Sequence, residues 1–264
     1  MAFIPSDFSS SKRWRGGGVQ SDYHDWEART ATEAHNMFVG GYSPSDVLCF
    51  LAEARRKVAA KSHTPDAELF GAARQKRSVT HLGSHHTDIA LRAERNLTVF
   101  TEEPLRWDSE GYLQVPLPRL TRRHSYSLLS EERVETTRVG KYLFPTVVGR
   151  YRFNAGTIVF EHTVPDSITP IVDDILRRLE TLPKKGKKAQ WRLLVEAMFG
   201  YYHAMPFIRG SAGIGKLFFT VLFLRFFDRK FSSESPDHDL LAMSALDENE
   251  FHRDLLGQNV PTVK

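Results

Sequence analysis

Hydrophobic spacing divides this chain into a first half with one strong helical pattern among polar, irregular stretches and a second half that is periodic throughout. Residues Ser43-Pro44-Ser45-Asp46 open the first strong pattern, with Val47, Phe50, Leu51, Ala54 and Val58 on one face and Glu53, Arg56 and Lys57 opposite. A capping serine ahead of that spacing predicts an amphipathic helix. Residues 97–100 and 112–117 read as extended and joined through Asp108-Ser109-Glu110-Gly111, with Pro116 and Pro118 ending the second strand. Residues 150–161 predict a second hairpin, with Tyr151, Phe153, Ile158 and Phe160 in its arms and a turn at Asn154-Ala155-Gly156.

Helical periodicity then takes over. Pro165-Asp166-Ser167 starts a helix with Ile168, Ile171, Val172, Ile175, Leu176 and Leu179 on one side, stopped by Pro183. A second helix is predicted from Lys188 to about Ala204, with Trp191, Leu194, Val195, Met198 and Tyr202 inward. A third, over 213–231, is apolar nearly all round and is therefore expected to be the most buried. A last short helix over 239–255 would pack Leu240, Leu241, Met243, Leu246 and Phe251 back on the bundle. The expected fold is mainly α: a helical bundle with a β-hairpin flap over 149–264, preceded by a small α+β region over 25–148. Residues 1–24, with Ser9-Ser10-Ser11 and Gly16-Gly17-Gly18, read as a disordered or delivery tail without the apolar core of a cleavable signal.

With 264 residues, 41% of them hydrophobic, the chain can bury one sizeable core. Lysine and arginine (36) barely exceed aspartate and glutamate (32), and Lys184-Lys185-Gly186-Lys187-Lys188 reads as a solvated turn, so nucleic acid is not indicated. Cys49 is the only cysteine, which excludes an internal disulfide and fits a reducing, cytoplasmic setting. The longest apolar run, 217–227, is broken by Arg225 and falls short of the roughly twenty residues a membrane span needs. His81, His85, His86 and Asp88 lie close together, and His81 and His85 would share a helical face. A further ligand and an apolar surround are missing from that group, so no metal centre is expected.

Candidate chemistry concentrates in Met205-Pro206-Phe207-Ile208-Arg209-Gly210-Ser211-Ala212-Gly213-Ile214-Gly215-Lys216, between two predicted helices. Glycines and a serine allow a tight loop whose amides converge at the start of a helix, where the dipole also favours an anion. The plainer alternative is a helix-to-helix turn. Phosphate binding would draw on Arg209, Gly210, Ser211, Ala212, Gly213, Gly215 and Lys216. Residues 210–216 also resemble a Walker A loop, but Leu217 stands where that loop has Ser or Thr for magnesium, and a P-loop follows a buried strand.

A second resemblance covers 149–255. Gly149-Arg150-Tyr151-Arg152, Val164-Pro165 opening a helix, and a helix running into Pro206-Phe207 resemble the layout of the Fic (Fido) family. That family carries a flap and then His-Pro-Phe-x-(Asp/Glu)-Gly-Asn-Gly-Arg-x-x-Arg between two helices. The resemblance implies a flap including Tyr151, Arg152 and Thr157, nucleotide binding at the loop, and AMP transfer from ATP to a hydroxyl of a target protein. Pro206, Phe207 and Gly210 are kept, and Lys216 stands at the second arginine. The catalytic histidine, however, falls on Met205, which cannot act as a base. The magnesium-holding carboxylate falls on Arg209, the asparagine on Ser211, the second glycine on Ala212 and the first arginine on Gly213. His203, two residues before the expected base, is rotated by roughly 200° on a helix. Arg209 would supply directly the charge that a carboxylate recruits through a metal, so magnesium is not expected. Two functional classes follow: a silent Fic-like effector module that acts by binding a nucleotide or phosphorylated partner, and an impaired protein adenylyltransferase. A P-loop nucleotide-binding protein is the alternative.

Overall fold

The computed structural model describes residues 20–82, 86–95, 97, 99–100, 106–107, 113–114, 120–142, 146–148, 151–153, 157–227 and 237–257. The protein is mainly helical. Its helices are α1 (Gln20–Val39), α2 (Pro44–Lys61), α3 (Thr87–Arg95), α4 (Pro165–Glu180), α5 (Lys187–Ala204), α6 (Ser211–Phe227), α7 (His238–Ser244) and α8 (Glu248–Gly257). The strands are β1 (Val79–His81), β2 (Val99–Phe100), β3 (Arg106–Trp107), β4 (Leu113–Gln114), β5 (Leu120–Ser127), β6 (Arg133–Tyr142), β7 (Thr146–Val148), β8 (Tyr151–Phe153) and β9 (Thr157–Glu161). None of the helices among the described residues is long and apolar enough to cross a membrane.

Helix α2 begins as its sequence predicts. The Ser43 side chain accepts from the Asp46 amide while the Asp46 carboxylate accepts from the Ser43 amide, a reciprocal cap. Its buried stripe is Val47, Leu48, Leu51, Ala52, Val58 and Ala59, turned slightly from the predicted face because Phe50 and Ala54 are only half-buried. Helix α1 packs on α6 and α2, and its buried apolar positions are Ala28, Ala31 and Ala34, whose small side chains permit close approach. It starts at Gln20, so the last residues assigned to the tail are helical.

Helices α4 and α5 follow the predicted periodicity, and Trp191, Leu194, Val195, Met198 and Tyr202 are buried. The third predicted helix begins two residues early, at Ser211, and its assigned end at 231 lies outside the described residues. It is not the most buried helix: α5 buries a larger share of its residues, because Ala212, Gly213, Lys216 and the Leu224–Phe227 end of α6 are partly open. The single helix predicted over 239–255 is two, α7 and α8, with Asp247 capping the second by accepting from the Glu250 amide at 2.8 Å. Leu246 sits in the break and is 51% exposed, not packed on the bundle as predicted.

The strands depart further from the sequence reading. Five form one antiparallel sheet in the order β1-β9-β6-β5-β2. The hairpin predicted over 150–161 does not form: β8 pairs with β7, while β9 pairs with β6 and β1. Likewise residues 99–100 pair with β5, and the small hairpin joins β3 to β4. Its assigned turn at 108–111 lies outside the described residues. His81 is on a strand, so the helical face proposed for it and His85 does not exist; His85 itself lies outside the described residues. The sheet lies against α3 through β9 and against α7 through β6, and there Val139, Ile158 and Phe160 pack with Ala93, Met205, Leu240 and Met243. That second cluster holds Met205 against the sheet.

Candidate functional site

The 205–216 segment joins α5 to α6, and its path is set by a strap of chain from 65 to 76. Met205 caps α5 in the left-handed conformation at φ +44°, its amide donating to Tyr201 at 2.9 Å. Phe207 and Arg209 bridge to Ala73 and Phe70. Main-chain bonds run from Arg74 N–H to Pro206 at 2.8 Å, Ile208 N–H to Ala72 at 2.9 Å, Arg209 N–H to Leu69 at 3.2 Å and Gly71 N–H to Arg209 at 3.1 Å. Gly71 has φ +72°, and a Cβ there would lie 2.4 Å from the Ala52 carbonyl oxygen, so the strap lies directly against α2.

One side chain fixes this junction. The Arg74 guanidinium, 5% exposed, donates to Met205 O at 2.9 Å, Ala204 O at 2.9 Å, Thr163 O at 2.7 Å and Lys76 O at 3.0 Å. It thereby caps the last carbonyls of α5 with a full positive charge, where the helix dipole is negative. Burial pulls its pKa down to about 10, still well above neutrality, so the group is charged. Nothing in the sequence flags Arg74, because three of its four carbonyl partners lie more than eighty residues away.

The predicted ligand residues play different parts. Ser211 is occupied: its hydroxyl accepts from the Phe207 amide at 2.8 Å and donates to the Phe207 carbonyl at 2.9 Å. Gly215 is a packing residue, since a Cβ there would fall 2.3 Å from the Tyr201 ring and 2.9 Å from that of Tyr202. Gly210, at φ +82°, makes the turn into α6, and its carbonyl accepts the first intrahelical bond, from Ile214 at 2.9 Å. Ala212 and Gly213 lie in the first turn of α6, whose amides have no intrahelical acceptor, and the space beside Gly213 is open. Lys216 is half-buried one turn on.

Arg209 is held on the strap. Its Nη1 donates to Pro65 O at 2.9 Å, its Nη2 lies 3.2 Å from the Asp66 carboxylate, and its guanidinium lies 5.8 Å from the Phe70 ring centroid. A phosphate at this position has to compete with Asp66. His203 turns away from the segment: it is 1% exposed, its Nε2 lies 3.2 Å from Ala242 O, and its ring sits 4.3 Å from His124 and 4.4 Å from Phe199. The hydroxyls of Thr137 and Thr163 donate to its carbonyl at 3.1 and 2.8 Å. The flap residues separate, with Tyr151 and Arg152 on β8 and Thr157 on β9 in a different sheet. An apolar groove of about 390 Å³ opens beside the segment, between α2 (Leu48, Ala52) and α4 (Ile168, Val172), and is closed at one end by Pro206 and Phe207.

Fold and segment together define a mainly helical protein with a five-stranded antiparallel sheet, whose inter-helix junction is clamped by a buried arginine. No protein-family description matches the chain, and no curated protein matches it. Among the described residues, no group of three or more His, Cys, Asp or Glu side chains is placed to hold a metal ion.

Proposed function

We propose that this chain is a catalytically silent, Fic-like binding module that takes a nucleotide such as ATP at the first turn of α6, without magnesium, and acts on a target protein by interaction. The observation that carries this reading is the position of residues 205–216. They join two helices, and the first-turn amides of Ala212 and Gly213, which lack an intrahelical acceptor, are flanked along the chain by Arg209 and Lys216. Anion binding at a helix start needs no more than those amides and a nearby cation. The apolar groove beside Phe207 has room for a nucleoside-sized group. Silence is favoured over transfer because Met205 occupies the position of the family's base and the nearest histidine, His203, is enclosed among His124, Phe199 and α7. The helix-loop-helix setting also favours the Fic-like reading over a P-loop, which follows a parallel strand. The single exposed thiol of Cys49 fits a cytoplasmic setting, including that of a host cell.

Calorimetric titration with ATP tests this. EDTA leaves the affinity unchanged or improves it, and Arg209→Glu abolishes binding. Asp66→Asn removes the competitor for Arg209 and tightens binding by about two- to fivefold, the worth of a surface ion pair. Loss of binding in EDTA, or no binding at millimolar ATP, overturns the proposal. Transfer of label from α-labelled ATP to protein overturns the silence.

A further inference from the structure

A second concavity lies away from the 205–216 segment. It measures about 420 Å³ and is walled by β5, the start of β6, α4, α5 and the α7–α8 link. We propose that this cleft binds an organic cation, an ammonium or guanidinium group carried on an apolar stem.

The β-bulge in β5 begins the argument. The β5–β6 register shifts between Arg123 and Ser125, and the intervening His124 is buried with its ring 6.1 Å from Phe199. With Tyr126 and Phe199 it gives the cleft an aromatic wall, and the exposed Leu246 forms an apolar rim. Such a surface suits a hydrocarbon stem.

Charge at the other end selects what the stem carries. Glu196, Asp247 and Glu248 face the cleft, against Arg133 and Arg178. The Arg178 guanidinium is largely committed elsewhere, with Nε 2.6 Å from the Asp174 carboxylate and Nη2 2.7 Å from Ser127 O; only its Nη1 reaches toward Glu196, at 4.0 Å. Asp174 is itself buried and also accepts from Tyr126 OH at 3.2 Å and the Leu129 amide at 3.0 Å, so it fixes Arg178 on the wall. Arg192 holds Glu196 from the solvent side at 2.8 Å. Among the described residues no basic side chain lies within 4 Å of the Glu248 carboxylate, although it lines the cleft. Burial and then the charge of Glu196 push the Glu248 carboxyl up to about 7; Arg192 and Arg178 oppose this and Asp247 adds to it. A carboxyl that is costly to ionise beside a second carboxylate is relieved by a cation between them.

Titration calorimetry on the full chain with agmatine, which carries an amine and a guanidinium on a four-carbon stem, tests the proposal. Capped arginine amide serves as the peptide-borne counterpart. Agmatine binding strengthens about tenfold between pH 6 and pH 8, as Glu248 loses its proton. At pH 7, heats in phosphate and Tris differ because a proton is released on binding. Glu248→Gln, an isosteric change that removes a repulsion and keeps the fold, weakens binding at least tenfold and removes the buffer difference. Binding of agmatine alone marks a free amine as the ligand, and comparable binding of capped arginine amide marks a side chain of a protein partner. No binding of either probe at 10 mM, or affinity unchanged by Glu248→Gln, overturns the proposal and leaves the ATP experiment untouched.

Discussion

Replacing Arg74 tests how the α5–α6 junction is held. Its guanidinium makes four hydrogen bonds to carbonyl oxygens, two of them at the end of α5. At about 1.5 kcal/mol each, the low end for bonds to a charged group, these contribute roughly 6 kcal/mol. The depression of its pKa to about 10 corresponds to a desolvation cost on the order of 3 kcal/mol. Arg74→Met removes the donors and leaves buried carbonyls unsatisfied, which brings the expected loss to about 3–5 kcal/mol. Arg74→Lys keeps the charge but cannot span carbonyls on three separate segments, and about half that loss is expected. Urea denaturation followed by circular dichroism measures both, with hydrogen exchange at the Arg74 and Ile208 amides reporting local opening of the strap. If Arg74→Met costs less than about 1 kcal/mol with unchanged exchange, the guanidinium is not the clamp.

Gly215→Ala and Gly213→Ala are expected to have opposite signs. A Cβ at Gly215 meets two enclosed tyrosine rings and costs about 1–3 kcal/mol, whereas at Gly213 it meets nothing within 4 Å and gains about 0.5–1 kcal/mol of helix propensity. Thermal unfolding checks the pair, and equal effects would refute the assignment of Gly215 to packing. His162 gives a pH test. Burial, then the charge of Arg74, pushes its imidazole down to about 3, below the ordinary value near 6.5, so the unfolded chain binds a proton there that the folded chain does not. Its contribution is therefore complete above about pH 6.5 and is lost as pH falls toward 3, by up to about 1.4 kcal/mol per pH unit. Asp239, pushed up to about 7 by burial and then Asp237, acts in the opposite direction, so the difference between wild type and His162→Gln is the informative quantity. A flat difference in urea stability between pH 7 and pH 4.5 would refute this.

The helices that could be read from the chain are those whose burial is expressed in large aliphatic and aromatic residues at helical spacing. Leu51 in α2, Ile171 and Ile175 in α4, and Leu194 and Met198 in α5 are all buried where the period puts them. Helix α1 escaped because its buried apolar positions are alanines, which carry little periodic signal yet let it lie close to its neighbours α2 and α6. The β5–β6 hairpin escaped for a different reason: its strands carry Arg122, Arg123, Arg133 and Arg138, and the alternation of large apolar residues is lost. For β9 the strand itself was legible but its partner was not. Adjacency along the chain suggested pairing across residues 154–156, whereas the ladder that forms joins Thr157 to Tyr142 and Glu161 to Val79, so register was set by the sheet as a whole.

The candidate site shows the same limit in chemical form. A glycine is written identically whether it admits a phosphate, turns a chain or makes room for a ring, and only its neighbours decide. Gly210 turns the chain, Gly213 faces open space, and Gly215 receives Tyr201. Arg209 likewise reads from the sequence as a cation awaiting an anion, and the anion it holds is Asp66, brought to it by the strap. Any ligand phosphate must exceed what that carboxylate and the Pro65 carbonyl already provide. On the proposed reading a nucleotide bearing several negative charges competes better than inorganic phosphate, since the Coulombic attraction grows with ligand charge while the Asp66 competitor stays the same. ATP is accordingly expected to bind more tightly than AMP, and Asp66→Asn to narrow the gap between them. Equal affinities for ATP and AMP in the wild type would mean that Arg209 never leaves the strap, and that any nucleotide binding arises from the groove beside Phe207 alone.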